Sequence, residues 1–250
     1  MCILLNMNLV IFYLALLFNS PEVSQTILRL RYPNPIPPSL DTVYPELHQK
    51  LKLERQEYEQ DLELASNNHL VELPREPIKT LHQIASYYSW AIPDERSLRI
   101  IASYSPLIEI GAGSGYWAHS LTKYGADILA FDDFSWTDSN TRLWFDVTQG
   151  STEKIPLHLN RTLFLCWPPA KSSFAYEALK AYQGTHFIYI GELFNRYIKE
   201  TGRMTKPAMG NTEFFKLLRE KYNLVSTTPI NTWPGYFDEL HIFSRRAVQE

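Results

Sequence analysis

Apolar and polar positions follow three different patterns along the chain. Leu9 to Phe18 (LVIFYLALLF) is a continuous apolar run inside a first stretch, through Phe18, that has no charged side chain. Between Tyr44 and Ser66, Leu47, Leu51, Tyr58, Leu62 and Ala65 recur near helical spacing among Leu, Glu, Lys and Gln, which predicts a long amphipathic helix. Two shorter helical patterns follow, about Ile78 to Ala91 and Asp94 to Tyr104, with Pro93 between them at a position suited to a first turn. After Pro106 short apolar runs alternate with helical patterns, the sign of βα units on a parallel sheet. The runs predict strands at Leu107 to Gly111, Asp127 to Asp132, Trp144 to Val147, Thr162 to Trp167, His186 to Gly191, Leu224 to Ile230 and Leu240 to Ser244. Helices are predicted near Tyr116 to Tyr124, Phe174 to Gln183 and Thr212 to Tyr222. No helical pattern separates the last two strands, so the expected fold is α/β: a Rossmann-like, seven-stranded, mostly parallel sheet with an antiparallel last strand, preceded by a helical N-terminal segment.

Five prolines between Arg31 and Pro45 remove backbone donors and break any continuous helix there. The expected organisation is an apolar extension over 1–20, a proline-rich arm over 21–45, a helical segment over 46–105 and the sheet domain over 106–247. Of 250 residues, 45% are apolar and 20% charged, enough for a sizeable core and unlike a disordered chain. A net charge of -3, from 24 basic against 27 acidic residues, sets up no field that gathers phosphates, so composition gives no sign of a nucleic-acid partner. Cys2 and Cys166 stand far apart, and the seven histidines form no HExxH pair, so neither a disulfide framework nor a metal site is expected. A cytoplasmic protein is the economical expectation. The alternative is secretion or a membrane anchor through residues 1–20, which resemble a signal-peptide core but lack a preceding Lys or Arg and a following A-x-A-like site. A buried helix or strand is the third reading of that run. Asn160-Arg161-Thr162 is a glycosylation sequon only in a secreted chain.

The segment richest in chemistry runs from Leu107 to His119, where a predicted strand enters Gly111, Gly113 and Gly115 at alternate positions and then a helix. Glycine admits positive φ and lets a ligand approach the backbone, so a cofactor site competes here with a purely structural turn. The spacing is G-x-G-x-G, with Tyr116 where a dinucleotide fingerprint has its third glycine, and Ala112 and Tyr116 rule out a G-x-S-x-G nucleophile elbow at Ser114.

Glu109-Ile110-Gly111-Ala112-Gly113-Ser114-Gly115 resembles the first motif of class I S-adenosylmethionine (SAM)-dependent methyltransferases. The resemblance implies that Glu109 and the loop hold the amino-acid portion of SAM and that an acid ending the next strand binds the ribose hydroxyls. Asp132, twenty-one positions after Gly111, has that place, and a carboxylate there can accept from both hydroxyls. Asp146, at the predicted end of the third strand, would then receive the adenine amino group, or be an ordinary strand-end acid. From about Ile92 to Arg246 the wider string looks like a group of methyltransferase-like proteins of unassigned substrate.

Ligands of open α/β sheets lie beyond the carboxyl ends of the strands. There Cys166-Trp167-Pro168-Pro169-Ala170 resembles the fourth motif of amino-methylating members, but Trp167 stands in the amide position and Ala170 in the aromatic one. What remains is a stiff loop in which Trp167 and Pro168 either contact an acceptor or form plain wall. Glu192, ending the fifth strand, is a candidate proton acceptor or a surface acid. Trp233 and Tyr236, between the last two strands, either overhang the pocket or pack locally. The reading expects a methyl transfer from SAM to an unknown oxygen, nitrogen or sulfur acceptor, with a SAM-binding protein without transfer activity as the alternative.

Overall fold

A computed structural model describes residues 43–53, 84–85, 87–135, 142–170, 172–193, 197–198, 203–204, 209–233 and 236–247, with residues 56 and 60. The apolar run Leu9 to Phe18, nearly all of the proline-rich arm and about half of the first two predicted helices lie outside the described residues. Helix α1 (Glu95–Ala102) starts one residue after Asp94, whose carboxylate accepts from the Ser97 amide at 2.8 Å while the Ser97 hydroxyl reaches back towards the Asp94 amide. This capping box explains why the helix begins here and not at Pro93. The sheet strands are β1 (Leu107–Ile110), β2 (Ile128–Asp132), β3 (Val147–Gln149), β4 (Thr162–Cys166), β5 (His186–Gly191), β8 (Tyr222–Pro229) and β9 (Glu239–Arg245). Helices α2 (Tyr116–Thr122), α3 (Phe174–Ala181) and α4 (Thr212–Lys221) connect them. A small ribbon, β6 (Tyr197–Ile198) with β7 (Arg203–Met204), precedes α4 and has no counterpart in the sequence reading.

The sheet order is β3-β2-β1-β4-β5-β9-β8. Strands β1 to β5 pair in parallel, and β9 runs antiparallel to both β5 and β8. This is the expected Rossmann-like architecture, with the last strand inserted between its two neighbours. One strand is misplaced in the sequence reading. β3 begins at Val147, where the prediction ended it, and pairs Ala130 with Val147 and Asp132 with Gln149. The apolar residues just before it are used elsewhere: the Trp144 amide donates to the Ser114 carbonyl, and its ring packs on Tyr88 and Tyr116.

Alternation along each strand feeds two buried faces. Leu107, Ile128, Phe164, Ile188 and Ile242 pack with Leu98, Ile101, Trp117 and Leu121 of α1 and α2. Ile108, Leu163, Phe187 and Phe243 pack with Leu179, Phe214 and Leu218 of α3 and α4. A third cluster joins the N-terminal residues Tyr44, Leu47, Leu51 and Tyr88 to Trp233 and Tyr236 of the β8–β9 loop, so the helical stretch 43–53 sits against the sheet domain. Among the described residues no helix is long and apolar enough to cross a membrane.

Candidate functional site

The face that is apolar over its middle becomes acidic at its carboxyl edge. Counting in steps of two from the core residues on the α1–α2 side leads from Ala130 to Asp132, from Leu107 to Glu109, from Phe164 to Cys166, from Ile190 to Glu192 and, on the antiparallel strand, from Leu240 back to Asp238. The strand period therefore puts four carboxyls and a thiol on one face of the sheet at its carboxyl edge: by register Glu109 lies level with Ala130 and Phe164, Asp132 and Cys166 stand two residues further out, and Glu192 and Asp238, just past the β5–β9 ladder, two residues beyond Cys166. All four acids are buried. Burial, with Asp132 nearby, raises the Glu109 carboxyl well above the usual range. Burial raises the Cys166 thiol, with Glu109 and Asp238 adding to it. Asp238 is pushed up to about 7 by burial, against the opposing bond from Trp167 and with Glu192 adding to the rise. Glu109 thus feels Asp132, Asp238 feels Glu192, and the Cys166 thiol feels Glu109 and Asp238, while no ion pair among the described residues involves Glu109 or Asp238.

At the glycine loop, Gly111, Gly113 and Gly115 all adopt left-handed φ, at 74°, 58° and 73°. Two of them also answer to packing. A Cβ on Gly111 would stand 3.0 Å from the Phe174 ring, and one on Gly115 would meet Val147 Cγ2 at 2.6 Å and Phe145 Cβ at 2.9 Å. The Gly113 amide donates to Asp132 Oδ2 at 2.8 Å. Asp132 Oδ1 accepts from the Phe134 amide at 2.7 Å, so the two predicted cofactor elements are hydrogen-bonded to each other. Glu109 accepts from the Ala118 amide with one oxygen, while Oε2 is buried and unpartnered. Asp133, next to Asp132, is exposed and bonds only locally, to the Ser135 amide.

Asp146 does not end the third strand, as the sequence reading has it: it is exposed and precedes β3, three residues before the Gln149 that pairs with Asp132. The residues at the carboxyl edge of β3 are instead Gln149, Gly150 and Ser151.

Beyond β4, Trp167 adopts a left-handed φ of 54°, uncommon for a bulky residue. Three contacts hold it. Its amide donates to the Ile190 carbonyl, its Nε1 donates to Asp238 Oδ1 at 2.9 Å, and its ring stacks on Trp90 with centroids 4.5 Å apart and planes 4° from parallel. Tyr236 is tilted against the same ring at 5.8 Å. Pro168 is buried beside it. Glu192 is buried, with Oε1 accepting from the Phe237 amide at 3.1 Å. The expected Trp233 is packed inside the third cluster, its Nε1 donating to the Ser89 carbonyl and its ring 5.6 Å from Tyr44.

Sequence reasoning missed the segment 87–91, which crosses this edge as a strap. The carbonyls of Tyr87, Tyr88, Ser89 and Ala91 accept from Trp144 Nε1, Ser114 Oγ, Trp233 Nε1 and Trp117 Nε1. Donors from the glycine loop, α2, the segment before β3 and the β8–β9 loop thereby fix Trp90 over Trp167. The strap left one trace in the sequence, the aromatic run Tyr87-Tyr88-Ser89-Trp90 inside a helical pattern. Asp238 was missed too, though its parity with Leu240 marks it. Arg142 stacks over the Trp144 ring at 4.7 Å and has a buried Nε without a partner, a cation close to the glycine loop.

No protein-family model and no curated protein matches the chain. Solved structures similar to it include the glycopeptide N-methyltransferase MtfA complexed with S-adenosylhomocysteine, at 10% identity over 69% of this chain and 100% of that one, with a TM-score of 0.39. An O-methyltransferase from Bacillus cereus, also with S-adenosylhomocysteine, is 12% identical over 75% of this chain and 99% of its own (TM-score 0.38). A putative tRNA (m1A22) methyltransferase of Streptococcus pneumoniae, with SAM, is 11% identical over 64% and 76% (TM-score 0.38). Likeness this distant carries no argument about activity. The strand order and the antiparallel β9 by themselves make the fold Rossmann-like.

Proposed function

We propose that the chain binds SAM at the carboxyl edge of the sheet and transfers its methyl group to an oxygen, nitrogen or sulfur acceptor. The observation that carries this reading is the bond between Asp132 and the Gly113 amide, which joins the end of β2 to the middle of a left-handed glycine loop. The residues present fit such a ligand. Each Asp132 oxygen accepts from one backbone amide, and a carboxylate oxygen has the chemistry to accept from a ribose hydroxyl as well. Glu109 Oε2 is a buried acceptor with nothing on it, suited to an ammonium group.

SAM supplies a methyl group already attached to its leaving group, so the protein's task is alignment with at most one base. Glu192 and Trp167 would serve the acceptor half, one as proton acceptor and one as a stacking wall, with Pro168 and Tyr236 beside them. Calorimetric titration with SAM tests the cofactor assignment: the wild type should bind, and a folded Gly113→Val variant should not. Equal affinity in both refutes it.

A second reading is favoured by one observation, the Trp90–Trp167 stack. An indole from the chain's own strap lies flat on the ring that an acceptor would use, as in a protein that keeps the cofactor and has lost transfer. Turnover of SAM with a panel of amines, thiols and phenols separates the two: product with any of them supports transfer, and none despite tight SAM binding supports the second reading.

A further inference from the structure

We infer that the buried pair Asp238 and Glu192, at the outer edge of the sheet beyond β5 and β9, is a subsite for an organic ammonium group. It rests on the proposed function only in calling this the acceptor half; binding of the cation does not depend on SAM.

Asp238 is 2% exposed. Oδ1 accepts from Trp167 Nε1, and Oδ2 is buried with no partner. Buried carboxylate oxygens are normally satisfied, because an unmet acceptor costs about 1–3 kcal/mol. The surroundings add nothing to offset that cost. Glu192 is a second buried acid close enough to disfavour the Asp238 charge, and the Tyr189 hydroxyl on the other side is spent on the Met209 carbonyl. Among the described residues no Lys, Arg or His pairs with Asp238. A fold gains nothing from such an arrangement, whereas a binding site for positive charge does.

The neighbouring rings have the same sign. Trp167, Trp90 and Tyr236 converge on this edge, and aromatic faces attract cations through their quadrupole. Carboxylates and ring faces together repel an anionic ligand, offer little to a neutral one and attract an ammonium whose organic part lies on the rings. The other two acids, Glu109 and Asp132, lie at the glycine loop and answer to the proposed cofactor. That leaves Asp238 and Glu192 for a second positive group.

The test uses three probes matched in ring and tether: 2-phenylethylammonium, 2-phenylethanol and 3-phenylpropionate, titrated calorimetrically into the full chain without SAM at neutral pH. The ammonium should bind at least about tenfold more tightly than the alcohol, the scale of one charge-assisted hydrogen bond, and the carboxylate should not bind. Asp238→Asn should reduce the preference to under about threefold, Glu192→Gln should reduce it in part, and Glu177→Gln, at an exposed acid on α3, should leave it intact. Should Asp238→Asn not fold, the wild-type ranking and Glu192→Gln still decide. No ammonium binding up to its solubility, equal binding of ammonium and alcohol, or a preference that survives both substitutions overturns the inference. A separate SAM titration keeps the two readings apart. Ammonium preference without SAM binding removes the cofactor proposal alone, and SAM binding without ammonium preference removes this one alone.

Discussion

Asp238→Asn should make the free protein more stable, and only above a particular pH. The Asp238 carboxyl is raised from 3.8 to about 7 in the folded chain, chiefly by burial and further by Glu192. Between those values the folded state holds a proton that the unfolded state has lost, so the unfolding free energy falls as pH rises through the window and levels off above it. At about 1.4 kcal/mol for each pH unit, the full window costs the native state about 4 kcal/mol. That is an upper value, because local relaxation around the Asp238–Glu192 pair recovers part of it. Asparagine mimics the protonated form and keeps an oxygen for Trp167 Nε1. Its amide nitrogen, placed where Oδ2 lacks a partner, adds a pH-independent penalty of about 1–3 kcal/mol. The pH dependence is therefore the quantity to read. Urea unfolding of both proteins at pH about 4, 6 and 8 should give a stability difference, variant minus wild type, that climbs by about 2–4 kcal/mol across the series. A difference that stays constant, or falls, means that Asp238 ionises at ordinary pH in the folded protein, and the account of an uncompensated acid at this edge is wrong. The substitution that stabilises the free chain is also the one that should remove ammonium binding, the trade-off expected of a site residue.

Asp132→Ala should weaken SAM by about 1.5–3 kcal/mol in calorimetry, since it removes ribose acceptors and also frees the Gly113 amide, while Asp133→Ala should change it by much less. The reverse order would place the wrong acid in the cleft. Gly115→Ala should lower stability by about 1–3 kcal/mol in urea unfolding without any ligand present, because its Cβ would overlap Val147 and Phe145 and its φ is left-handed. An unchanged midpoint would refute that packing. Asp94→Ala should cost about 1 kcal/mol or slightly more, by removing the cap of α1 and the acceptor for the Asn231 amide. A loss no larger than that of Glu95→Ala, an exposed partner of Arg99, would show that the cap contributes nothing.

By itself the sequence determined the α/β class, six of the seven sheet strands to within about two residues, and the pairing of a glycine loop with an acid. These depend on local period: apolar runs of strand length, helical spacing between them, and glycines at a strand-to-helix turn. Parity within a strand was legible too, and it already assigns Glu109, Asp132, Glu192 and Asp238 to one face. Tertiary structure alone decided what used the remaining apolar residues. Trp144 and Phe145 read as strand, but they pack over Ser114 and Gly115, and β3 begins only after Asp146. Trp233 read as either pocket wall or local packing, and its cluster with Tyr44, Leu47 and Leu51 shows the packing. Trp90 carried no signal of its partner 77 positions away, because a stack between parallel rings depends on where two separate backbones pass and leaves no period in either. The same holds for the charge of the site. Each acid is ordinary in its own segment, and only the sheet order, which sets β2 beside β1 and β5 beside β9, turns separate carboxyls into two buried pairs, in which Asp132 raises Glu109 and Glu192 raises Asp238.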